Sequence, residues 1–250
     1  MKLSTIILAA GKGKRMKSDL PKVLHPLLER PMIHYVIDVA RAIGSEKIVL
    51  VAGHKKELVI EATQEEAVDY VIQEQQLGTG HAVLQTAELF RGYDGHILVL
   101  SGDVPLLTTD TLLKLVEVHQ KNNPLASLLT TSMPDPTGYG RIVRDAKGYV
   151  KQIVEHKDAD EEILKIDEIN VGIYIFQSKA LFDTLPLVSN DNTQGEYYLP
   201  DVIKMYVDRG EKVAALLTAD EQETHGINDL NQLHQAEKIL AARLRSAKSS

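Results

Sequence analysis

Short apolar runs alternate with amphipathic stretches through the first half of the chain. The runs have the length of buried strands, and the stretches have the pattern of helices that bury one face. Chains that alternate strand and helix in this way form parallel sheets covered by helices, so the expected fold class is α/β, with a Rossmann-like, doubly wound and mostly parallel sheet. We predict strands over residues 3–8, 48–52, 70–72 and 97–100, and helices over residues 32–43, 56–64, 79–90 and 110–121.

The pattern changes after Pro124, where strand-like runs and turns dominate. Asp145-Ala146-Lys147-Gly148 stands between two such runs and is a hairpin signal. We expect a domain over residues 1–228 that contains an inserted substrate lobe at about residues 125–200, followed by a C-terminal helix and polar tail over residues 229–250. The predicted strands here cover residues 125–131, 141–144, 149–155, 170–176 and 212–218, and the predicted helices follow Pro200 and cover about residues 229–247.

One side of the final helix is predicted to pack only partly against the domain. Its apolar residues recur at spacings of three and four, which is the pattern of a buried helical face. A glutamate interrupts this stripe, which consists of Leu230, Leu233, Glu237, Leu240 and Leu244.

Composition narrows the class of function. The chain has 250 residues and a net charge of -7, whereas proteins that bind nucleic acid over a broad surface are usually basic. It has no cysteine, which excludes disulfides, a thiol nucleophile and a cysteine-zinc site. The apolar run after Met1 is too short for a signal sequence or a membrane span. We therefore expect a cytoplasmic protein that contacts neither membrane nor nucleic acid.

The first strand opens into a loop of small residues and cations at residues 8–16. Ala9, Ala10, Gly11 and Gly13 leave backbone N–H groups uncovered, so that a phosphate or a base edge can approach them. Lys12, Lys14, Arg15 and Lys22 add positive charge, as the binding of a nucleoside triphosphate requires. Met16 stands where the Walker loop and the dinucleotide fingerprint both need glycine, which excludes those two motifs. A mobile basic surface loop is the alternative.

A carboxylate follows the predicted strand over residues 97–100. Asp103 lies just past the carboxyl end of this strand, where open α/β sheets bind ligands. It can hold Mg²⁺, which takes one or two protein oxygens together with phosphates and water. A turn aspartate that accepts backbone N–H groups is the alternative. Asn228 could offer a second oxygen, or it could cap the final helix.

Residues 73–82 run from a strand end through Gly78-Thr79-Gly80 into a helix. The amide side chains of this segment, from Gln73, Gln75 and Gln76, and its exposed N–H groups suit the paired donors and acceptors of a pyrimidine or purine edge. Thr79 as a plain N-cap is the alternative, and we expect His81 to be structural.

Together these motifs resemble the nucleoside-diphosphate-sugar pyrophosphorylases, and more narrowly the N-acetylglucosamine-1-phosphate uridyltransferases that form part of bifunctional bacterial enzymes. The resemblance implies a nucleotide-diphospho-sugar transferase fold with an inserted sugar-binding lobe. The wider class is marked by residues 8–16, 21–25, 75–82 and 102–106, and the narrower branch by residues 135–142, 153–158, 194–198 and 226–228.

The resemblance also implies roles for single residues. Arg15, Lys22 and Asp103 would be catalytic: Lys22 would hold phosphate, and Arg15 would stabilise the triphosphate and the leaving pyrophosphate. Asp103 and Asn228 would ligate Mg²⁺. Gly140, Glu155 and Asn170 would hold the sugar, whereas Gln73, Gly78 and Thr79 would bind uracil. The implied substrate-binding set is Leu8, Ala9, Ala10, Gly11, Lys22, Gln73, Gly78, Thr79, Gly102, Asp103, Gly140, Glu155, Asn170 and Asn228.

The implied reaction joins UTP and N-acetylglucosamine 1-phosphate into UDP-N-acetylglucosamine and pyrophosphate. Alternatives are a pyrophosphorylase for another sugar phosphate or nucleotide, and a non-catalytic nucleotide-sugar-binding subunit. Ser101 departs from some relatives, so no sugar contact is assigned to it. The chain ends at Ser250 without hexapeptide repeats, so we expect no acetyl transfer and a monomer or weak oligomer.

Overall fold

The computed structural model describes residues 1–247. The strands are β1 (Leu3–Ala9), β2 (Pro26–Leu27), β3 (Arg30–Pro31), β4 (Ile48–Ala52), β5 (Asp69–Ile72), β6 (His96–Ser101), β7 (Ala126–Ser132), β8 (Arg141–Arg144), β9 (Val150–Val154), β10 (Glu168–Gln177) and β11 (Val213–Thr218). The helices are α1 (Met32–Ala42), α2 (Lys56–Thr63), α3 (Thr79–Leu84), α4 (Thr109–Asn122), α5 (Glu161–Leu164), α6 (Ser178–Thr184), α7 (Pro200–Asp208) and α8 (Leu230–Ala247). Within residues 1–247, no helix combines the length and the apolar character needed to cross a lipid bilayer.

A central sheet runs in the order β11-β7-β10-β6-β1-β4-β5. Strand β1 is parallel to β4 and β6, β5 is parallel to β4, and β11 is parallel to β7. Strand β10 is antiparallel to both of its neighbours, β6 and β7. The predicted mostly parallel α/β sheet is confirmed, with one reversed strand between two parallel blocks.

The hairpin β8–β9 extends from this sheet. It forms between β7 and β10 along the chain, and it joins the sheet where Arg141 pairs with Ile169. The pairing of β10 with β7 shifts register between Asn170 and Tyr174, and Gly172 lies within the shift at a φ of +79°. The bulge bends β10 at the point where the hairpin leaves the sheet. The division of the chain at residue 228 stays a prediction.

The core lies on both faces of the sheet because consecutive residues of a strand point in opposite directions. Ile6 packs on the face that α6 and α7 cover, and Ile7 packs on the face that α1 and α4 cover. Both side chains are fully buried, which explains why β1 is a continuous apolar run rather than an alternating one. Burying one such side chain contributes about 1.5–3 kcal/mol.

One predicted helix is shorter than expected, and the predicted packing of another is confirmed. The helix expected over residues 79–90 ends at Leu84 and is followed by a 3₁₀ turn, Ala87–Phe90, because the Thr86 hydroxyl donates to the Val83 carbonyl (2.7 Å). In α8 the buried residues are Leu233 and Ala236, which pack against Met16, Leu27, Met32 and Leu106. Leu240 of the predicted stripe also packs partly against this cluster, whereas Leu230 and Leu244 are 48% and 51% exposed, so the predicted partial packing is confirmed. Residues 248–250 of the predicted tail lie outside the described residues.

A pair of histidines joins α4 to the sheet. Nε2 of His119 lies 2.9 Å from Nδ1 of His96, and Nδ1 of His119 lies 2.8 Å from the Ser127 hydroxyl. His119 is 1% exposed. Burial lowers its pKa to about 3, and the neighbouring His96 adds to the effect. The fold therefore holds His119 neutral.

We expect this histidine to make the fold acid-sensitive. The unfolded chain takes up a proton at His119 below pH about 6.5, whereas the folded chain resists it down to pH about 3. The free energy of unfolding should therefore fall by about 1.4 kcal/mol per pH unit across this window. Denaturant unfolding at several pH values measures the slope. His119→Gln should flatten it, and an unchanged slope in that variant would contradict the assignment.

Candidate active site

The loop after β1 forms one wall of a cleft. Gly13 has a φ of +57°, and a Cβ there would lie 2.7 Å from the Cβ of Lys22, so glycine lets the loop cross directly against Lys22. Met16 is 1% exposed and packs in the cluster beneath α8. Lys12 and Arg15 are exposed and form no hydrogen bond or ion pair with the rest of the described chain. The loop is thus anchored at its base and keeps two cations available.

A buried amide lies on the opposite wall. Gln73 follows β5 and is 3% exposed. Its Nε2 donates to the Gly78 carbonyl (3.0 Å) and lies 3.0 Å from Nδ1 of His81. These contacts fix the amide plane while leaving Oε1 without a donor among the described residues. His81 therefore has the structural role predicted for it.

The turn before α3 is held by a distant segment. The Thr79 hydroxyl accepts from the Leu199 N–H (3.0 Å), and the Gly80 N–H donates to the Tyr197 carbonyl (2.8 Å). The residue at the N-cap is Gly78, with a φ of +106°, and a Cβ there would lie 2.5 Å from the Tyr197 carbonyl oxygen. Thr79 is therefore not the N-cap that the alternative interpretation required.

Asp103 lies beside the loop after β1 because β6 and β1 are parallel neighbours. Leu8 pairs with Ser101, and the Gly102 N–H donates to the Leu8 carbonyl (2.9 Å). The Ile227 N–H donates to the Asp103 carbonyl (2.9 Å), which brings the segment before α8 to the same place. Three segments that are far apart in sequence therefore meet at the carboxyl end of β1.

Two side-chain oxygens converge on one cation. The Lys22 ammonium donates to Oδ2 of Asp103 and to Oδ1 of Asn228, the latter at 2.9 Å. The Asp103 and Lys22 side chains are 18% and 17% exposed. The resemblance implies that Lys22 holds phosphate, but here its ammonium bonds the two residues that were expected to be metal ligands.

These oxygens fit a hard divalent cation. One carboxylate and one amide oxygen are ligands that Mg²⁺ accepts, with phosphates and water completing the shell. The described residues contain no group of three or more His, Cys, Asp and Glu side chains that could hold a metal by themselves. A metal at this position would thus complete its shell with water or with substrate phosphates, and Lys22 would have to withdraw.

The residues expected to hold the sugar lie together on the hairpin side of the cleft. The Asn170 N–H donates to the Gly140 carbonyl (2.9 Å), and a Cβ on Gly140 would lie 3.0 Å from Oε1 of Glu155. Nδ2 of Asn170 donates to the Tyr174 hydroxyl (2.7 Å), and its Oδ1 accepts from the Gly172 N–H (3.2 Å). The bulge in β10 therefore fixes the orientation of the Asn170 amide.

Glu155 has a raised carboxyl pKa. The residue is exposed as a whole, yet the surrounding chain withdraws its carboxyl from part of the solvent, and this desolvation raises the pKa. The negative charges of Asp158 and Asp201 raise it further. A raised pKa favours the form that can donate a hydrogen bond as well as accept one.

Four neighbouring cavities join these walls. The first, of about 250 Å³, is the one between the loop after β1 and the turn before α3. It shares Ser101 with a cavity of about 260 Å³ and with one of about 130 Å³, both of which reach Asn170. The fourth, of about 500 Å³, contains Glu155 and shares Tyr198 with the second. The first cavity is lined by Leu8, Ala9, Ala10, Gly11, Lys22, Val23, Gln73, Gln76, Gly78, Thr79, Ala82, Ser101, Asp103 and Glu196.

Most of the predicted site residues line this continuous groove, with three exceptions. Arg15 is at the exposed rim and does not line the first cavity. Gly102 packs against Leu8 and Ile33 rather than facing the cavity. Gly140 acts through its contacts with Glu155 and Asn170.

Several residues that line the groove were given no role of their own from the sequence, and Gln76, Glu196 and Tyr198 are examples. Gln76 and Glu196 line the first cavity, and Tyr198 lines the second and fourth. All three lie in motifs on which the family resemblance rests, so the motifs identified the right segments but not these individual residues. The signal that was missing is the pairing of residues 77–80 with residues 197–199, which no local pattern reports.

Comparison with known proteins gives relatives along nearly the whole chain. The family described as nucleotidyl transferase matches residues 4–236. The chain is 49% identical over 242 residues to the bifunctional protein GlmU of Halalkalibacterium halodurans, covering 97% of this chain and 53% of that protein. It is 48% identical over 239 residues to the bifunctional protein GlmU of Bacillus licheniformis, covering 96% of this chain and 52% of that protein. The chain spans about half the length of these curated relatives.

A solved structure confirms the predicted fold. UDP-glucose pyrophosphorylase complexed with UDP-glucose superposes with a TM-score of 0.74 at 19% identity, covering 97% of this chain and 100% of that one. At this identity the likeness concerns the fold alone.

We expect removal of the Lys22 ammonium to strengthen binding of a metal ion in the absence of nucleotide. In Lys22→Met the oxygens of Asp103 and Asn228 lose their cation, so Mn²⁺ should bind about tenfold more tightly or better. Electron paramagnetic resonance of free Mn²⁺ measures the dissociation constant. Lys12→Met removes an equal charge from the exposed rim and is the control. Equal Mn²⁺ affinity in both variants would contradict direct competition.

Proposed function

Because the chain belongs to the nucleotidyl transferase family, we propose that it transfers the uridylyl group of UTP to N-acetyl-α-D-glucosamine 1-phosphate. The products are UDP-N-acetylglucosamine and pyrophosphate. The substrate assignment is supported by the similarity to proteins named GlmU and by the motifs that indicated the uridyltransferases. We place the reaction in the cytoplasm, which the lack of cysteine fits.

The observation that carries the proposal is the convergence of three chain segments on one groove. The backbone of residues 8–11 and the Gln73 amide lie at one end, and Asn170 lies at the other. Asp103, Lys22 and Asn228 lie between these ends. A nucleotide and a sugar phosphate bound at opposite ends would therefore bring their phosphates together at these three side chains.

Each end of the groove suits one substrate. The uncovered N–H groups of Ala10 and Gly11 suit phosphate oxygens, and the free Oε1 of Gln73 suits the N–H of a uracil ring. Glu155 and Asn170 offer a carboxyl and an amide group of the kind that binds sugar hydroxyls and an acetamide, and Gly140 leaves the space beside Glu155 open.

The reaction needs no covalent enzyme intermediate. A phosphate oxygen of the sugar phosphate forms a bond to the α-phosphorus of UTP, while the bond between that phosphorus and the bridging oxygen breaks and pyrophosphate leaves. The attacking group is already an anion, so the protein contributes positioning and neutralisation of charge. Mg²⁺ held by Asp103 and Asn228 would supply positive charge to the phosphates. Lys22, released from Asp103, and Arg15 at the rim would offset charge on the leaving pyrophosphate.

A pyrophosphate-release assay tests the substrates. We expect Mg²⁺-dependent release with UTP and N-acetylglucosamine 1-phosphate, and much slower release with GTP, CTP or dTTP or with other sugar 1-phosphates. Preference for another pair would replace the substrates while keeping the reaction class. Nucleotide-sugar binding without turnover would favour a non-catalytic subunit, although retention of Arg15, Lys22 and Asp103 argues against this.

We expect Asp103→Asn to slow turnover by about 10²–10³-fold with the fold intact. Loss of one preorganised charged group in a nucleotidyl transfer site has an effect of this order. Steady-state pyrophosphate release gives the rate, and circular dichroism reports folding. Asp110→Asn, which makes the same exchange at an exposed position of α4, should retain full activity. A folded Asp103→Asn protein with nearly normal turnover would remove Asp103 from the mechanism.

A further inference from the structure

The start of α8 lies against the groove. Leu233 and Ala236 pack on Met16 and Leu106, so the helix shares a core with the base of the loop after β1. The residues just before the helix are tied to Asp103 through the Ile227 N–H (2.9 Å). The first turn of α8 is therefore held in a fixed relation to the expected metal ligands.

The side chain of Gln232 reaches back from this turn to Asn228. Its Oε1 accepts from the Asn228 N–H at 2.7 Å. Nδ2 of Asn228 in turn donates to the Gly226 carbonyl (2.9 Å). With its backbone held by Gln232 and its Nδ2 held by Gly226, Asn228 directs Oδ1 towards Lys22 and Asp103.

Helix α8 is capped by Asp229 rather than by Asn228. The Asp229 carboxylate accepts from the Gln232 N–H (2.9 Å), which satisfies a free donor of the first turn. Asn228 is thus not the cap considered from the sequence. The Gln232 N–H is therefore satisfied by the helix cap, whereas the Gln232 side chain accepts a hydrogen bond from Asn228.

The Gln232 side chain also lines a cavity of about 170 Å³, together with Tyr139, His225 and Gln235. A side chain of similar size at this position therefore has room, and its replacement removes the hydrogen bond without forcing close contacts. The hydrogen bond to Asn228 can thus be tested separately from packing.

We propose that Gln232 is a positioning residue that holds Asn228 in the orientation needed to bind the divalent cation. The inference rests on the proposed function in that Asn228 is taken as a ligand of that cation. It makes α8 part of the site's support rather than only a C-terminal extension. Losing one such hydrogen bond should weaken metal binding about three- to tenfold.

The test compares Gln232→Leu, which lacks the acceptor, with Gln232→Glu, which keeps it. Binding of Mn²⁺ alone is measured by electron paramagnetic resonance, and the Mg²⁺ dependence of turnover is measured separately. Gln232→Leu should weaken Mn²⁺ binding about three- to tenfold and raise the Mg²⁺ concentration for half-maximal rate, with kcat at saturating Mg²⁺ little changed. Gln232→Glu should bind Mn²⁺ at least as well as the unaltered chain.

Asp229→Ala is the matched control, because it removes the helix cap but leaves the side-chain Oε1 of Gln232 that accepts from Asn228. If it weakens Mn²⁺ binding as much as Gln232→Leu at equal thermal stability, the effect belongs to the helix and the proposal is wrong. Unchanged Mn²⁺ affinity in Gln232→Leu, or in Asn228→Ala, would also overturn it. A different outcome would contradict the proposed function alone: Mn²⁺ binds as expected in all variants, but no substrate pair releases pyrophosphate.

Discussion

The parallel pairing of β1 with β6 is the constraint on which the site depends. Its register sets Leu8 beside Ser101, and the hydrogen bond from the Gly102 N–H to the Leu8 carbonyl continues the pairing beyond the strands. The loop that carries the cations and the aspartate that carries the negative charge must therefore emerge side by side.

The remaining groups reach this point by tertiary contacts rather than by strand register. Lys22 is placed here because the chain passes directly against Gly13. Asn228 is placed here because the N–H of the preceding residue, Ile227, donates to the Asp103 carbonyl. Together they form an ion pair with one added amide, in which each partner is mostly shielded from water. A substrate phosphate entering here competes for Lys22, and a metal ion competes for the two oxygens. Exchange of partners among the three side chains, the phosphate and the metal ion would let the site keep its charge nearly balanced when ligands bind.

The parts of this arrangement that the sequence predicted are the local ones. The apolar runs of β1, β4 and β6 indicated buried parallel strands, and the small residues after β1 and the aspartate after β6 indicated ligand contacts. Periodicity reports which faces are buried but not which way a strand runs, so the reversed direction of β10 could not be foreseen. The same limit applies to α8, whose packed face is set by Met16, Leu27 and Met32 from distant parts of the chain.

The two ends of the groove differ in how they are built, and this difference bears on specificity. The end formed by residues 8–11 and Gln73 consists of backbone after β1 and one buried amide after β5, so few of its contacts depend on side chains that can change freely. The other end is formed by a bulged strand and a hairpin, where Asn170 is oriented by Tyr174 and Glu155 lies near the negative charges of Asp158 and Asp201. A fold of this kind can keep its phosphate chemistry constant while the sugar that it accepts changes.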